Sequence, residues 1–170
     1  MTKRSQKPKK TMWAPALLLL TISIFSLAAL VTRALANPTA PSTKGRIFAQ
    51  VLVEDTLAKH PGLSGLGLAT TPPKGNDCVT IADTDAKELG DKCDKGEVAV
   101  MKTGTPTVEK EGDGYDVTLP LHVSGKTIGI IGMDFKLDQA EAGLLDRAKA
   151  IAKEMEDQIP SKSKLFEPAK

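Results

Sequence analysis

The sequence predicts an α+β domain in which two helices cover an antiparallel sheet of five or six strands. Several segments alternate apolar with polar or small side chains at a period of two, and short turns that contain glycine join them. Two further segments carry apolar side chains at helical spacing, one ahead of the strands and one behind them. Because the helices are segregated from the strands along the chain, this pattern is typical of an α+β fold rather than an α/β fold.

Residues 1–36 are predicted to be a signal peptide, with an uncleaved membrane anchor as the alternative. A basic start is followed by an uncharged run over 13–31 and by the small-x-small triplet 34–36, which is typical of a signal-peptidase site. At about 1.5 Å per residue the run nearly spans a bilayer core of about 30 Å, which keeps anchoring open. Either outcome places the body outside the cytoplasm, periplasmic or secreted, behind a linker at 37–45.

The body after the leader is mildly acidic. Residues 37–170 hold 17 basic and 21 acidic side chains, a net charge of −4, and they contain few aromatic residues. Nucleic-acid binding needs clustered lysine and arginine, so no nucleic-acid partner is expected.

The body begins with a predicted helix and a predicted strand. The helix covers 46–59, with apolar side chains on one side, and Pro61-Gly62 stops it. The segment 63–69 alternates apolar with small residues, which indicates a strand. A loop rich in proline and glycine follows over 71–77.

Cys78 and Cys93 are predicted to form a disulfide across a hairpin. The segment between them has the pattern of strand, turn and strand, and a turn at Asp85-Ala86 makes paired positions sum to 171, as 78 and 93 do. The oxidising environment of an exported domain favours the bond, although two free buried thiols are the alternative. Closing a loop of this size stabilises the fold by about 3 kcal/mol in the chain-entropy model.

Three more strands follow a short predicted helix around 97–102, which Gly104 closes. The first of these strands is the polar segment 107–111. The second, 115–123, alternates apolar and polar residues over its whole length, and the third, 127–135, is apolar with two glycines inside it. Glycine-containing turns connect the three strands, so they are expected to pair antiparallel.

The last predicted helix runs from about 139 to 159 and has a continuous apolar stripe. The stripe consists of Leu144, Leu145, Ala148, Ile151, Ala152, Met155 and Ile159. It is expected to pack on the sheet, with a homodimer contact as the alternative use. Pro160 ends the helix, and residues 161–170 are expected to form a flexible tail.

Two stretches of strand sequence resemble a known sensor family. From Val117 to Phe135 the chain has an apolar strand with a proline, a turn with glycine, and a strand of the form Gly-apolar-apolar-Gly-apolar-Asp-apolar. The stretch 79–90 has a strand that ends in aspartate and a small loop before the chain returns. Both are similar to Cache domains, the extracytoplasmic PAS-like sensor modules, and the likeness covers about 44–136.

The resemblance implies a PAS-like domain, here over 46–160, that encloses a small polar metabolite such as an amine, an amino acid or a carboxylate. Asp134 matches the strand-end aspartate that contacts the ligand's amino group in amino-acid-binding members of the family. From its position alone, Asp134 is either such a contact or an end-of-strand residue that bonds local backbone. Tyr115 and His122 are the further candidate ligand residues, and His122 is expected to face away from its apolar neighbours, toward either a pocket or solvent.

The sequence favours a binding domain over an enzyme. No catalytic motif surrounds a nucleophile, and only His60 and His122 could serve as histidine bases. The acidic cluster near the cysteine hairpin lacks the glycine and the closing glutamate of a calcium loop, so neither a metal nor a cofactor is expected. That cluster, interpreted as a solvated edge, consists of Asp83, Asp85, Asp91 and Asp94.

Two functions therefore remain open. The first is an exported, sensor-like domain that binds a small molecule, has no output module of its own and works through a membrane-protein partner. The second is a structural or protein-interaction domain that keeps the PAS-like fold without a ligand pocket. In that second case the apolar stripe of the last helix would serve as the contact of a homodimer.

Overall fold

The computed structural model describes residues 46–136 and 142–170. The predicted signal peptide or anchor at 1–36 and the linker at 37–45 lie outside the described residues, as does the start of the predicted last helix. None of the helices in the described ranges is long and apolar enough to cross a bilayer.

The described residues form an α+β fold with five strands and three α-helices, as predicted. In chain order the elements are α1 Phe48–Lys59, β1 Leu63–Thr70, β2 Val79–Asp83, α2 Lys95–Thr103, β3 Thr107–Glu111, β4 Gly114–Val123, β5 Lys126–Lys136, α3 Leu144–Glu156 and a 3-10 helix Lys162–Phe166. Every strand pairs antiparallel with its neighbours in the order β2-β1-β5-β4-β3.

The main core lies between one face of the sheet and the helices α1 and α3. Alternate residues of the central strands face these helices because the side-chain period of a strand is two. Strand residues such as Leu68, Leu119 and Ile131 pack there against Val53 of α1 and Met155 of α3, each at most 3% exposed. Apolar side chains fill this side of the sheet.

The hairpin of β4 and β5 contains a β-bulge that sets its register. Ser124 and Gly125 form the turn with φ of 52° and 74°, and Val123 pairs with Lys126 beside it. The bulge lies between Leu121 and His122, and it shifts by one position every pair that lies farther from the turn. As a consequence Asp116 lies directly opposite Asp134.

The cysteine hairpin forms in the predicted register but with a wider turn. Cys78 and Cys93 are joined with their Cα atoms 5.3 Å apart, and the Cys93 N–H donates to the Cys78 carbonyl at 3.0 Å. Val79 pairs with Lys92 as an isolated bridge, so the returning limb is not a full strand. The predicted tight turn at 85–86 is instead a loop, because the carboxylates of Asp83 and Asp85 accept hydrogen bonds from backbone N–H groups two residues later.

Helix α2 packs on the face of the sheet that α1 and α3 leave open. Its first turn is fixed by a capping box, in which the Asp94 carboxylate accepts from the Glu97 N–H and the Glu97 carboxylate accepts from the Asp94 N–H, both at 2.8 Å. Gly104 ends the helix with φ of 71°. Val100, 2% exposed, packs in a small second core of Ala69, Cys78 and Ile130.

The end of the chain differs from the expected flexible tail. After α3 the chain forms the 3-10 helix, whose Leu165 is fully buried in the main core. The Ala169 N–H donates to the Arg46 carbonyl at 2.8 Å, and the Phe48 N–H donates to the Glu167 carbonyl at 2.7 Å. The polar composition of the tail suggested disorder, but one buried leucine and backbone pairing with the start of α1 hold it in place.

Candidate functional site

A cavity of about 670 Å³ lies on the open face of the sheet, opposite α1 and α3. Its floor contains three glycines, Gly65 and Gly67 of β1 and Gly132 of β5. Gly67 pairs with Gly132, so the middle of the sheet presents bare backbone at this point. At Gly132, where an added Cβ would meet no atom within 4 Å, a ligand has room to approach the strands closely.

The walls of the cavity are acidic. Seven carboxylic acids line it, and no lysine, arginine or histidine does so among the described residues. The acids come from the end of β2 and the loop after it, from α2, and from β3, β4 and β5: Asp83, Asp85, Glu88, Glu97, Glu111, Asp116 and Asp134. A carboxylate only accepts hydrogen bonds when ionised, so this lining is complementary to a group rich in N–H donors.

Two of the carboxylates lie over the glycine floor. A Cβ atom built on Gly65 would lie 2.1 Å from Asp134 Oδ2, and one built on Gly67 would lie 2.2 Å from Asp83 Oδ2. No other residue type fits at either position while these side chains keep their places. Gly132 is different, because a Cβ there would have no atom within 4 Å.

Asp116 and Asp134 form a cross-strand pair of like charges. Burial, as the largest cause, and the neighbouring charges of Asp134, Glu111, Glu109 and Glu97 together raise the pKa of the Asp116 carboxyl from 3.8 to about 6. Burial, followed by the charge of Glu111, also raises the pKa of Asp134. Like charges directly opposite each other in a sheet are destabilising, so the fold retains an unfavourable pair at this site.

The Asp83 carboxylate, at the end of β2, lines the cavity at the wall across from Asp116 and Asp134. Burial raises its pKa, the hydrogen bond from the Asp85 N–H at 2.7 Å opposes the rise, and the charges of Glu88, Asp134 and Asp85 add to it. The Gln50 side chain of α1 holds the backbone here, because its Nε2 donates to the Asp83 carbonyl at 2.8 Å and its Oε1 accepts from the Asp83 N–H at 3.1 Å. The amide of Gln50 thus occupies the outer edge of β2 as a neighbouring strand would.

Of the three predicted ligand residues, Asp134 lines the main cavity. Tyr115 pairs with Phe135, which is 3% exposed in the main core, so Tyr115 belongs to the helix-covered face rather than to the face of Asp134. At the ends of the strands Tyr115 and Asp134 do line one smaller depression of about 380 Å³, which shares Asp116 with the main cavity.

His122 does not line the cavity. Its Nδ1 lies 3.2 Å from Glu156 Oε1, and its backbone N–H donates to the same oxygen at 2.6 Å. Glu156 belongs to α3, which covers the other face of the sheet. The His122 side chain is 41% exposed, so it faces solvent in part.

Six further carboxylates of the cavity were not predicted as ligand residues: Asp83 and Asp85 were interpreted as part of a solvated edge, and Glu88, Glu97, Glu111 and Asp116 were not singled out. Asp116 lies in the polar half of an alternating strand, and this was a usable signal for a residue on the non-core face. Glu97 and Glu111 offered no signal, because only the tertiary fold brings α2 and the end of β3 to the same cavity.

The carboxylates that line the cavity can accept hydrogen bonds from a cation. None of the lining residues combines a nucleophile with a histidine or lysine base. Within the described ranges no three acidic, histidine or cysteine groups converge as metal ligands do. The carboxylates are instead spread around the cavity, which suits an extended organic cation better than a single metal ion.

Comparison with known proteins finds similarity at the level of structure. No protein-family model and no curated protein matches the sequence. The second GAF domain of DevS from Mycobacterium smegmatis is similar with a TM-score of 0.52 and 14% identity, over 64% of this chain and 88% of that one. The A. Aeolicus nlh2 GAF domain gives 0.49 and 17% identity over 64% and 80% of the two chains, and a segment of a methyl-accepting chemotaxis protein gives 0.48 and 13% over 65% and 83%.

The similarity to the DevS domain shows the fold of this chain and nothing more specific, because sequence identity is low. GAF domains belong to the PAS-like group of folds, so the predicted PAS-like α+β class is confirmed. Cache domains are not among these neighbours, and the Cache assignment stays a prediction. The described residues therefore have a GAF-like fold with an acidic cavity on the open face of its sheet.

Proposed function

We propose that this domain is a sensor-like binding domain for a small organic cation, such as a diamine or an amino compound with a second cationic group. The single observation that carries the proposal is the cavity of about 670 Å³, which seven carboxylic acids line over a glycine floor. The GAF-like fold supports it, because folds of this type are used for small-molecule binding.

The charge of the cavity selects among the three ligand classes that the sequence left open. A carboxylate ligand would add a negative charge beside Asp116 and Asp134, whose pKa values are already raised by burial and by acidic neighbours. An ammonium or guanidinium group would instead form charge-assisted hydrogen bonds with the same oxygens. We therefore favour an amine over a carboxylate or a zwitterion with an exposed carboxylate.

Cation binding also reduces the repulsion among the carboxylates of the cavity. An opposite charge within about 4–6 Å stabilises the ionised carboxylate and lowers its pKa. Binding is consequently coupled to proton release, and affinity is expected to fall as the pH falls through about 6, where Asp116 takes up its proton.

In this proposal the domain binds and does not catalyse. It lies outside the cytoplasm, as the leader at 1–36 predicts, and it passes the ligand-bound state to a membrane-protein partner. The support is the leader sequence for the location and the absence of a nucleophile with its base in the described cavity for the lack of catalysis.

Thermal shift and isothermal titration calorimetry with putrescine, spermidine, arginine and succinate test the function. At a hundredfold excess over the dissociation constant a ligand adds about 2.7 kcal/mol of stability. We expect a rise in Tm with at least one of the amines and none with succinate. If the amines give no shift at low ionic strength, the proposal is wrong, and the protein-interaction alternative is then favoured.

A matched pair of variants shows whether binding occurs in this cavity. Gly132→Val places two methyl groups in open space on the floor, so the fold is expected to persist while amine binding weakens by at least about tenfold. Asp55→Asn removes an exposed carboxylate of α1, on the other side of the sheet, and is expected to leave binding unchanged. Equal affinities of the two variants for the amine would place binding elsewhere.

A further inference from the structure

We propose that the Cys78–Cys93 disulfide is a redox-controlled tether of the cavity wall. Its reduction by a dithiol frees the segment from residue 84 to the start of α2 and thereby alters the cavity. The effect on the ligand rests on the proposed function, whereas the release of the wall does not.

The tethered segment supplies a large part of the acidic wall. Thr84, Asp85 and Glu88 of the loop line the cavity, and so does Glu97 in the first turn of α2. Cys93 immediately precedes Asp94, whose backbone N–H holds the Glu97 carboxylate at 2.8 Å. The disulfide therefore fixes the position of Glu97 through the capping box.

The two ends of the segment are held in different ways. At the first end the Thr84 N–H donates to the Leu66 carbonyl at 3.1 Å, the Leu66 N–H donates to Thr84 Oγ1 at 3.0 Å, and Gln50 binds the neighbouring Asp83 backbone. These bonds join the segment to β1 and α1 and do not depend on the cysteines.

The second end depends on the disulfide. Besides the S–S bond, three backbone hydrogen bonds of 2.9–3.0 Å join residues 90, 91 and 93 to Thr80 and Cys78. The loop has almost no apolar anchor, since Leu89 is 43% exposed and residues 85–92 are all exposed. Segments with few buried apolar contacts open at low free-energy cost, so removal of the covalent bond is expected to release this end first.

One sulfur of the pair is accessible to a reductant. Cys78 is 7% exposed and packs against Ala69 and Val100. Cys93 is half-buried and lines an open groove of about 360 Å³ beside Lys95 and Lys102. The two ammonium groups attract an anionic thiolate, and the Asp94 carboxylate at the same groove is engaged in the helix cap.

The exchange proceeds in two steps that balance. A thiolate of the dithiol attacks Cys93 Sγ, the Cys78–Cys93 bond breaks, and Cys78 leaves as a thiolate that takes up a proton. The second thiol of the reductant then attacks the mixed disulfide and releases Cys93. The protein disulfide gains two electrons, and the dithiol is oxidised to its own disulfide.

Hydrogen–deuterium exchange on the full chain tests the release of the wall. Oxidised protein, protein reduced with dithiothreitol, and the Cys78→Ser/Cys93→Ser double variant are compared at labelling times too short for global unfolding. We expect amides of residues 85–98 to exchange at least about tenfold faster in the reduced and double-variant proteins, while β4, β5 and the Thr84 amide stay protected. Unchanged exchange over 85–98, or a uniform increase through all strands, would overturn the proposal.

Two further readouts complete the test. Each single variant leaves one free cysteine: Cys93 in Cys78→Ser and Cys78 in Cys93→Ser. Cys93 is expected to react with iodoacetamide at least about tenfold faster than Cys78, and equal rates would contradict the assigned point of attack.

Putrescine affinity is expected to differ at least about fivefold between oxidised and reduced protein. If putrescine binds neither form while the exchange result holds, the proposed function is wrong but the disulfide still restrains the wall. If putrescine binds both forms equally, the disulfide does not control ligand binding.

Discussion

The substitution Asp116→Asn measures how much the ionised Asp116 carboxylate destabilises the folded protein. In the folded protein the pKa of Asp116 is raised from 3.8 to about 6, chiefly by burial and then by the charge of Asp134. Between pH 3.8 and about 6 the folded state therefore binds more protons than the unfolded chain. The contribution of Asp116 to the free energy of unfolding consequently falls as the pH rises through this window and is constant above it.

The size of the effect follows from the shift. At 1.36 kcal/mol per pKa unit the whole shift corresponds to about 3 kcal/mol, and solvent screening of a half-buried carboxyl reduces the expected effect to about 1–2 kcal/mol. Asp116→Asn should therefore be more stable than the wild type by about this amount at pH 7.5 and equally stable at pH 3.5.

Urea denaturation of both proteins at several pH values between 3.5 and 7.5 measures the difference. The exposed Asp55→Asn serves as the control and should follow the wild type at every pH. The reasoning is refuted if the wild-type and Asp116→Asn curves run parallel across the window, because Asp116 would then titrate alike in the folded and unfolded states.

Three other substitutions test contacts that hold the site and the fold together, each by urea denaturation at pH 7. Gln50→Ala removes both hydrogen bonds to the Asp83 backbone and is expected to cost about 1–2 kcal/mol; no loss would mean that β2 keeps its edge without them. Gly67→Ala places a methyl group against the Asp83 carboxylate and should cost about 1–3 kcal/mol, whereas a neutral result would show that the carboxylate moves freely. Leu165→Ala should cost about 2–5 kcal/mol if the C-terminal segment packs in the core, while the exposed Ser163→Ala should cost almost nothing.

The elements of this fold could be predicted because each carries a local periodic signal. The alternation in β4 reports its two faces directly, and the stripe of α3 reports the side that packs on the sheet. The cysteine register was also readable, since two residues that must lie close together fix the pairing of everything between them. Val79 and Lys92 pair as the sum of 171 requires.

The site could not be predicted in the same way, because it depends on one irregularity and on tertiary proximity. A simple hairpin closed at Ser124-Gly125 would place Asp116 opposite Met133. The bulge after Leu121 shifts the register by one and brings Asp116 opposite Asp134 instead. His122 lies beside the same bulge, and its Nδ1 contacts Glu156 of α3 rather than the cavity.

The two faces of the sheet contribute differently to stability, and this difference bears on function. The helix-covered face is filled with apolar side chains, as a stable core requires. The open face instead carries glycines and mutually repelling carboxylates, and none of the described residues that line the main cavity is a lysine, arginine or histidine. Lys136 lines the adjoining depression with Asp116 and Asp134. Surface substitution would easily relieve such repulsion, since the asparagine of Asp116→Asn keeps the shape of the side chain. Three local constraints lie at the acidic wall next to β2 and α2: the disulfide, the capping box and the Gln50 bonds. The carboxylates of this wall repel one another, and yet three sets of contacts hold them in place. This arrangement is expected where a bound cation balances the negative charge of the carboxylates.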